Sequence, residues 1–255
     1  GKLTGIDGST RQAETNGYIC GKVRRFDRRV YSDDRILRPA IRQGPKGQSR
    51  PKFKDVTWDE ALEQVATRLT EVRERWGGEA ILPFSYGGSN GLVSQDTSDA
   101  ALFRRLGASR LSRTVCAAPT RTAARTLYGE MPSITPSDYT HSQLIVVWGA
   151  NPSESGIHLV PYIREAQRKG ATLVVIDPRQ TKLALKADIH LPVRPGTDLP
   201  VALALHRHLF EHGLADTTFL DEHARGSERL RLRADAWPIG RAAEVAGIDA
   251  TALEE

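Results

Sequence analysis

At 255 residues, with 39% hydrophobic and 26% charged residues, the chain has the make-up of one large or two modest soluble-type domains. No apolar run approaches the roughly 18 residues of a membrane span, so no direct membrane span is expected, and no signal peptide is visible. Two cysteines, Cys20 and Cys116, are too few for a disulfide scaffold. The net charge of +5, with arginines dense between Arg24 and Arg42, fits a solvated, salt-bridged face or a site for a polyanionic ligand. Nucleic acid is not expected as a partner, because the basic residues are not interleaved with aromatics.

Residues 1–54 are rich in Gly, Pro, Arg and Asp, with short strands and no long helix expected, and Gly44-Pro45-Lys46-Gly47 reads as a hairpin turn. Thr57-Trp58-Asp59-Glu60 is a capping box, in which the Thr hydroxyl and the Glu carboxylate close the first helical turn reciprocally. The helix that follows carries Ala61, Leu62, Val65, Leu69, Val72 and Trp76 on one face and stops at Gly77-Gly78. Ala80–Phe84 is predicted as a strand feeding a loop with Gly88, Ser89 and Asn90, and a helix is predicted over Ser98–Leu106. Pro119 suits the first turn of a helix ending near Tyr128. Cys116 would then sit at or just before a helix amino end, where the helix dipole and Arg113 and Arg121 favour thiolate.

The centre of the chain is Gln143–Arg179. Leu144–Trp148 is an apolar run that stops at Gly149-Ala150-Asn151-Pro152; a helical pattern follows from near Leu159 to Lys169; Leu173–Ile176 is a second apolar run ending at Asp177-Pro178. Such a strand–helix–strand pattern, without polar alternation in its strands, predicts a parallel sheet buried on both faces. A further strand, Ile189–Val193, leads through Arg194-Pro195-Gly196-Thr197-Asp198 into a helix running to His212. The fold class is α/β with doubly wound, largely parallel sheets. Ligands of these sheets lie beyond the carboxyl ends of the strands, which here carry Gly149, Asn151, Ser153, Glu154, Ser155, Asp177, Arg179, Gly196 and Asp198.

Taken in order, Gly17–Lys22, the Arg28-Val30-Tyr31-Ser32 segment, Val56–Leu62, Trp148–Pro152, Val175–Arg179 and Arg194–Asp198 resemble the amino-terminal part of a molybdopterin oxidoreductase of the dimethyl sulfoxide reductase and formate dehydrogenase superfamily. The resemblance implies a truncated β-rich 4Fe-4S domain over 1–54, the first part of an α/β pterin-binding domain over 55–111, and an incomplete dinucleotide-binding α/β domain over 112–255. It also implies two molybdopterin guanine dinucleotides around Mo or W, a small-molecule substrate, and an electron-transfer partner subunit or carrier. Cys20 matches the last thiolate of the 4Fe-4S set, whose other three cysteines would lie upstream; on its own it would read as a buried free cysteine. Lys22 matches the lysine between cluster and pterin. Cys116 falls where the family carries the protein ligand to the metal, although Ala117 stands where formate dehydrogenases carry His. Gly149, Asn151, Glu154 and Ser155 match one pterin-dinucleotide loop. Asp177, with Arg179 beside it, matches the acid that pairs with a guanine or ribose edge. Gly196 and Asp198 match a second nucleotide loop, and Gly88, Ser89 and Asn90 lie at another strand's carboxyl end. Family members work in cytoplasm and periplasm alike.

Two other functions stand beside this one. The large iron–sulfur subunit of respiratory complex I resembles the family but lacks molybdenum, which would make the chain an electron-transfer scaffold. More remotely, His208-Leu209-Phe210-Glu211-His212 has the spacing of an inverted zinc-peptidase motif, with both imidazoles on one helix face. A nicotinamide dehydrogenase is disfavoured, because no strand is followed by a G-x-G-x-x-G turn and its acid.

Overall fold

In the central strands the side chains alternate across the sheet, and helices cover both of the resulting faces. The computed structural model describes residues 1–84, 98–112, 115 and 117–255. They form two compact units, Gly1–Asp27 together with Ile134–Glu255, and Arg28–Ser133.

The first unit opens with α1 (Gly21–Arg24); α2 (Phe26–Val30) follows it and carries the chain into the second. The second unit holds the antiparallel strands β1 (Ala40–Gln43) and β2 (Lys52–Asp55), then α3 (Trp58–Trp76), α4 (Ser98–Leu106) and α5 (Ala117–Tyr128). The connection between β1 and β2 begins at the expected Gly44–Gly47 turn. At the start of α3, Thr57 Oγ1 accepts from the Glu60 amide at 3.2 Å while Glu60 Oε2 accepts from the Thr57 amide at 2.7 Å. The capping box is therefore closed on both sides. Leu62, Val65 and Trp76 remain exposed, so the apolar stripe of α3 is only partly covered.

The predicted strand over Ala80–Phe84 does not form. Gly78–Ala80 is instead a 3₁₀ turn, and residues 81–84 are irregular. Ile81 is buried and its carbonyl accepts from the Ser109 amide at 2.9 Å. One such bond ties the segment to the end of α4 without giving it the ladder that defines a strand.

The first unit is built on β3 (Leu144–Trp148), α6 (Pro152–Ser155), α7 (Leu159–Arg168), β4 (Thr172–Ile176), β5 (Ile189–Leu191), α8 (Asp198–Glu211), α9 (Thr217–His223), α10 (Ser227–Ala234), α11 (Ile239–Ala246) and α12 (Ala250–Glu254). The strands form a parallel sheet in the order β3-β4-β5, with Trp148 beside Ile176 and Ile176 beside Leu191. Ile145, Val147, Leu173 and Val175 point to one face and pack with Ile163 and Ala166 of α7. Ile176, Leu191 and Val193 pack on the other face with Val201 and Ala204 of α8 and with Ala242, Ala243 and Ala246 of α11. Helices thus cover both faces of a parallel sheet, as the α/β class requires, and among the described residues the strand order runs in one direction without the reversal of a doubly wound sheet.

Burial on both faces holds for β4, which lies between two neighbours, but not for β3. As an edge strand, β3 leaves Leu144 and Val146 exposed at 58% and 49%. The reason is positional: the apolar run alone cannot tell an edge strand from a central one. Val193, expected at the end of the last strand, lies just past it, where its amide turns back to the Leu191 carbonyl at 2.9 Å.

Candidate cofactor-binding site

Because β3, β4 and β5 run parallel, their carboxyl ends share one edge, and each continues into a loop carrying expected site residues. After β3, Gly149 takes φ +59°, a left-handed conformation that a side chain would strain, and its amide closes on the Ile176 carbonyl at 2.8 Å. Asn151 follows, and its backbone carbonyl accepts from the amides of Glu154 and Ser155, which starts α6. After β4, the buried Asp177 accepts the Arg179 amide on Oδ1 at 2.7 Å. Its backbone carbonyl lies 3.0 Å from His190 Nε2, and among the described residues Oδ2 has no hydrogen-bond partner. After β5, Gly196 takes φ +88° ahead of α8. Thr197 occupies the N-cap position, but its hydroxyl donates back to the Arg194 carbonyl rather than capping an α8 amide.

Two of these loops are joined directly. Trp148 Nε1 donates to Asp198 Oδ1 at 2.7 Å, across 50 residues of sequence. Asp198, expected in the second nucleotide loop, therefore holds the end of β3 against the start of α8.

Beside the β3 loop lies a recess of about 650 Å³ lined by Tyr18, Cys20, Lys22 and Arg25 from the amino-terminal segment, by Ser153, Glu154 and Ile157 from α6 and the turn after it, and by Lys182. Lys182 Nζ and Glu154 Oε1 form an exposed ion pair at 3.1 Å. With Lys22, Arg25 and Lys182 set against Glu154, the lining carries an excess of positive charge that suits an anionic ligand. Cys20 stands at the N-cap position of α1. Its thiol is held below the ordinary value, chiefly by the Val23 amide facing the sulfur without closing a regular cap bond, then by the Lys22 amide and charge, against an opposing contribution from desolvation. A thiol biased toward thiolate is the form that ligates metal.

The fold thus brings Cys20, Lys22, Gly149, Asn151, Glu154, Ser155, Asp177, Arg179, Gly196 and Asp198 into one unit, with Cys20, Lys22 and Glu154 around one recess. Cys116, Gly88, Ser89 and Asn90 lie outside the described residues. Of the arginine-rich segment, Arg25 lines the recess while Arg24 pairs with Asp7 at 3.0 Å. Lys182 was not anticipated, since it belongs to no motif. His208 and His212 do share a helix face, with rings stacked at 4.1 Å. Among the described residues, however, no group of three or more His, Cys, Asp or Glu could hold a metal ion, so that pair finds no third ligand.

A model of the molybdopterin oxidoreductase family matches residues 35–243. The chain belongs to that family. "Probable oxidoreductase YoaE" of Bacillus subtilis is 32% identical over 248 residues, covering 97% of this chain and 36% of the relative. Dimethyl sulfoxide reductase DmsA of Escherichia coli is 31% identical over 256 residues, covering 91% of this chain and 31% of the relative. The solved structure of acetylene hydratase from Pelobacter acetylenicus superposes with a TM-score of 0.70 at 28% identity, covering 92% of this chain and 32% of that one. The chain therefore spans about a third of the length of these relatives.

Among the described residues Asn151 Oδ1 is buried without a hydrogen-bond partner, and it stands in the loop at the sheet's carboxyl edge beside the cationic recess. An unsatisfied buried acceptor next to a positively charged concavity fits a ligand with both hydrogen-bond donors and negative charge. A pterin dinucleotide, with amino groups and a pyrophosphate, has both.

Proposed function

We propose that this chain is the part of a Mo- or W-dependent molybdopterin oxidoreductase that seats two guanine dinucleotide cofactors against a 4Fe-4S cluster. Its partners would be a small-molecule substrate and an electron-transfer subunit or carrier. The observation that carries this reading is that Cys20 and Lys22 line the same recess as Ser153 and Glu154 of the β3 loop. In this assignment residues 1–54 close an iron–sulfur domain, and 55–111 and 112–255 contribute to the pterin- and dinucleotide-binding domains. When bound, the metal centre supplies two-electron redox chemistry and the cluster one-electron transfer.

The protein's own groups hold and orient. Cys20 contributes one cluster thiolate, and the Lys22 ammonium places a positive charge between cluster and pterin. Asn151 Oδ1 accepts from a donor on the dinucleotide, while Gly149, Ser155, Gly196 and Asp198 shape the loops that receive it. Asp177 offers Oδ2 to a guanine or ribose edge, its Oδ1 being committed to the Arg179 amide. Gly88, Ser89 and Asn90 would add a further loop, and Cys116 would ligate the metal as a soft thiolate.

The test is Mo, W, Fe and pterin per chain in the full-length protein, with redox turnover assayed alongside. Mo or W with two pterins, together with about four Fe per cluster, supports the reading, and Cys116→Ala then abolishes turnover. Iron without Mo, W or pterin leaves the complex I-like scaffold instead. A metal and pterin complement without net redox turnover would point to non-redox chemistry, a hydratase being among the relatives.

A further inference from the structure

The His208-Leu209-Phe210-Glu211-His212 motif takes no part in the site described above. His208 lies in the last turn of α8 and His212 at its C-cap, so the two rings meet on one face of the helix. They stand nearly parallel, with planes at 27° and centroids 4.1 Å apart. His208 is partly buried and His212 exposed, so the pair is open to solvent. His212 Nδ1 lies 3.0 Å from the His208 carbonyl oxygen. A carbonyl can only accept, so in the neutral ring the proton sits on Nδ1 and Nε2 carries a free lone pair. Among the described residues no hydrogen bond engages Nε2 of His212 or either nitrogen of His208. Glu211 is already occupied: its Oε1 accepts from Arg207 Nε at 2.7 Å and pairs with Arg207 Nη2 at 2.6 Å.

A backbone carbonyl that holds one imidazole nitrogen as a donor is the usual support of a metal-binding histidine, because it leaves the other nitrogen aimed at the ion. Imidazole suits borderline dications such as Zn(II), Ni(II) and Cu(II). Two nitrogens bound to one Zn(II) at about 2.0–2.1 Å stand about 3.3 Å apart in a tetrahedron, close to the ring spacing here. His208, whose nitrogens are uncommitted, is the ring that tilts to bring a lone pair alongside. We propose that His208 and His212 form a two-histidine site for a divalent transition-metal ion, with water completing its shell, and that the ion clamps the last turn of α8. Zinc centres that hydrolyse peptides take three protein ligands, so a pair makes a clamp and not a peptidase. Because α8 is 14 residues long, the pair stands about 20 Å from the Gly196–Asp198 loop at the other end of the helix. The site is separate from the cofactor loops, and the proposal does not depend on them.

The experiment titrates Zn(II) into the full-length protein and its His208→Gln, His212→Gln and Glu211→Gln variants, by calorimetry in a buffer that does not bind metal. Amide exchange of peptides covering Leu205–Leu214 is followed by mass spectrometry with and without Zn(II). Each histidine substitution is expected to weaken binding by about 10–100-fold, since the second imidazole acts at the high effective concentration of a neighbour on the same helix. Glu211→Gln, which removes no ligand, should leave binding unchanged. The His212 amide donates to the His208 carbonyl at 3.1 Å, so an opening that parts the rings also exposes this amide. Zn(II) at about 100 times its dissociation constant should therefore slow exchange there by about 100-fold, and should not slow it in either histidine variant. Absence of Zn(II) binding, wild-type affinity in either histidine variant, or exchange that Zn(II) leaves unchanged overturns the proposal. Lost binding in Glu211→Gln overturns its two-ligand form. If His208→Gln does not fold, His212→Gln, at the exposed C-cap, decides by the same two readings.

Discussion

The bond from Trp148 to Asp198 sets the spacing of two loops at the sheet's carboxyl edge, and its strength can be worked out from its geometry. At 2.7 Å from indole N–H to a carboxylate oxygen it is short and charge-assisted, a class that contributes about 1.5–3 kcal/mol when enclosed. Asp198 is exposed, so screening by water lowers the expected contribution to about 1 kcal/mol. Single variants mislead here. Trp148→Phe also loses ring packing against the core on which α8 sits, and Asp198→Ala also removes an anion from the first turn of α8, worth about 0.3–1 kcal/mol with the helix dipole. A double-mutant cycle subtracts both. Native-state hydrogen exchange at the amides of Val201–Ala204 reads local opening of α8 without requiring the whole protein to unfold in two states. The coupling energy between Trp148→Phe and Asp198→Ala should be about 1 kcal/mol, a fivefold difference in opening. Coupling below about 0.3 kcal/mol would mean that the bond does not hold the two loops together, and the argument for their spacing would fail.

Other consequences are equally direct. Leu173 is fully buried at the centre of β4, so Leu173→Ala should lower stability by about 3 kcal/mol, read as loss of exchange protection along β3, β4 and β5. Gly149→Ala meets no atom within 4 Å, so its cost should be the strain of φ +59° alone, about 1–2 kcal/mol, seen as faster exchange at the Gly149 amide bond to Ile176. The Glu60 carboxyl is held below its usual range, first by the Thr57 amide and then by the Thr57 hydroxyl. Because its folded value is depressed, the stabilisation is complete above the ordinary Glu range of about 4.3 and is lost as pH falls through the folded value. First-turn amides of α3 should therefore lose protection in acid, and Glu60→Gln should flatten that profile.

Much of the fold around the candidate site was readable as local pattern. Gly149 and Gly196 mark turns with positive φ, Thr57 and Glu60 close a box three residues wide, and the apolar runs at 144–148 and 173–176 form strands that pair in parallel. Each depends on neighbours in the chain, and short-range sterics and hydrogen bonding are written in the sequence. The failures came where a neighbour distant in sequence decides. Ala80–Phe84 has a strand's composition but no ladder, and Leu144 and Val146 are apolar yet exposed because β3 lies at the sheet edge.

The sequence by itself determined the α/β class, the family motifs and the loops at the strand ends, because periodicity and turn chemistry act over a few residues. Only the tertiary structure decided that Trp148 holds Asp198, that Lys182 and Glu154 flank the Cys20 recess, and that Tyr18 meets the His158 ring edge-on. Those contacts join residues far apart in the chain. They exist only once the parallel sheet has folded its connections back onto one edge, since no local rule encodes which distant side chain a loop will meet.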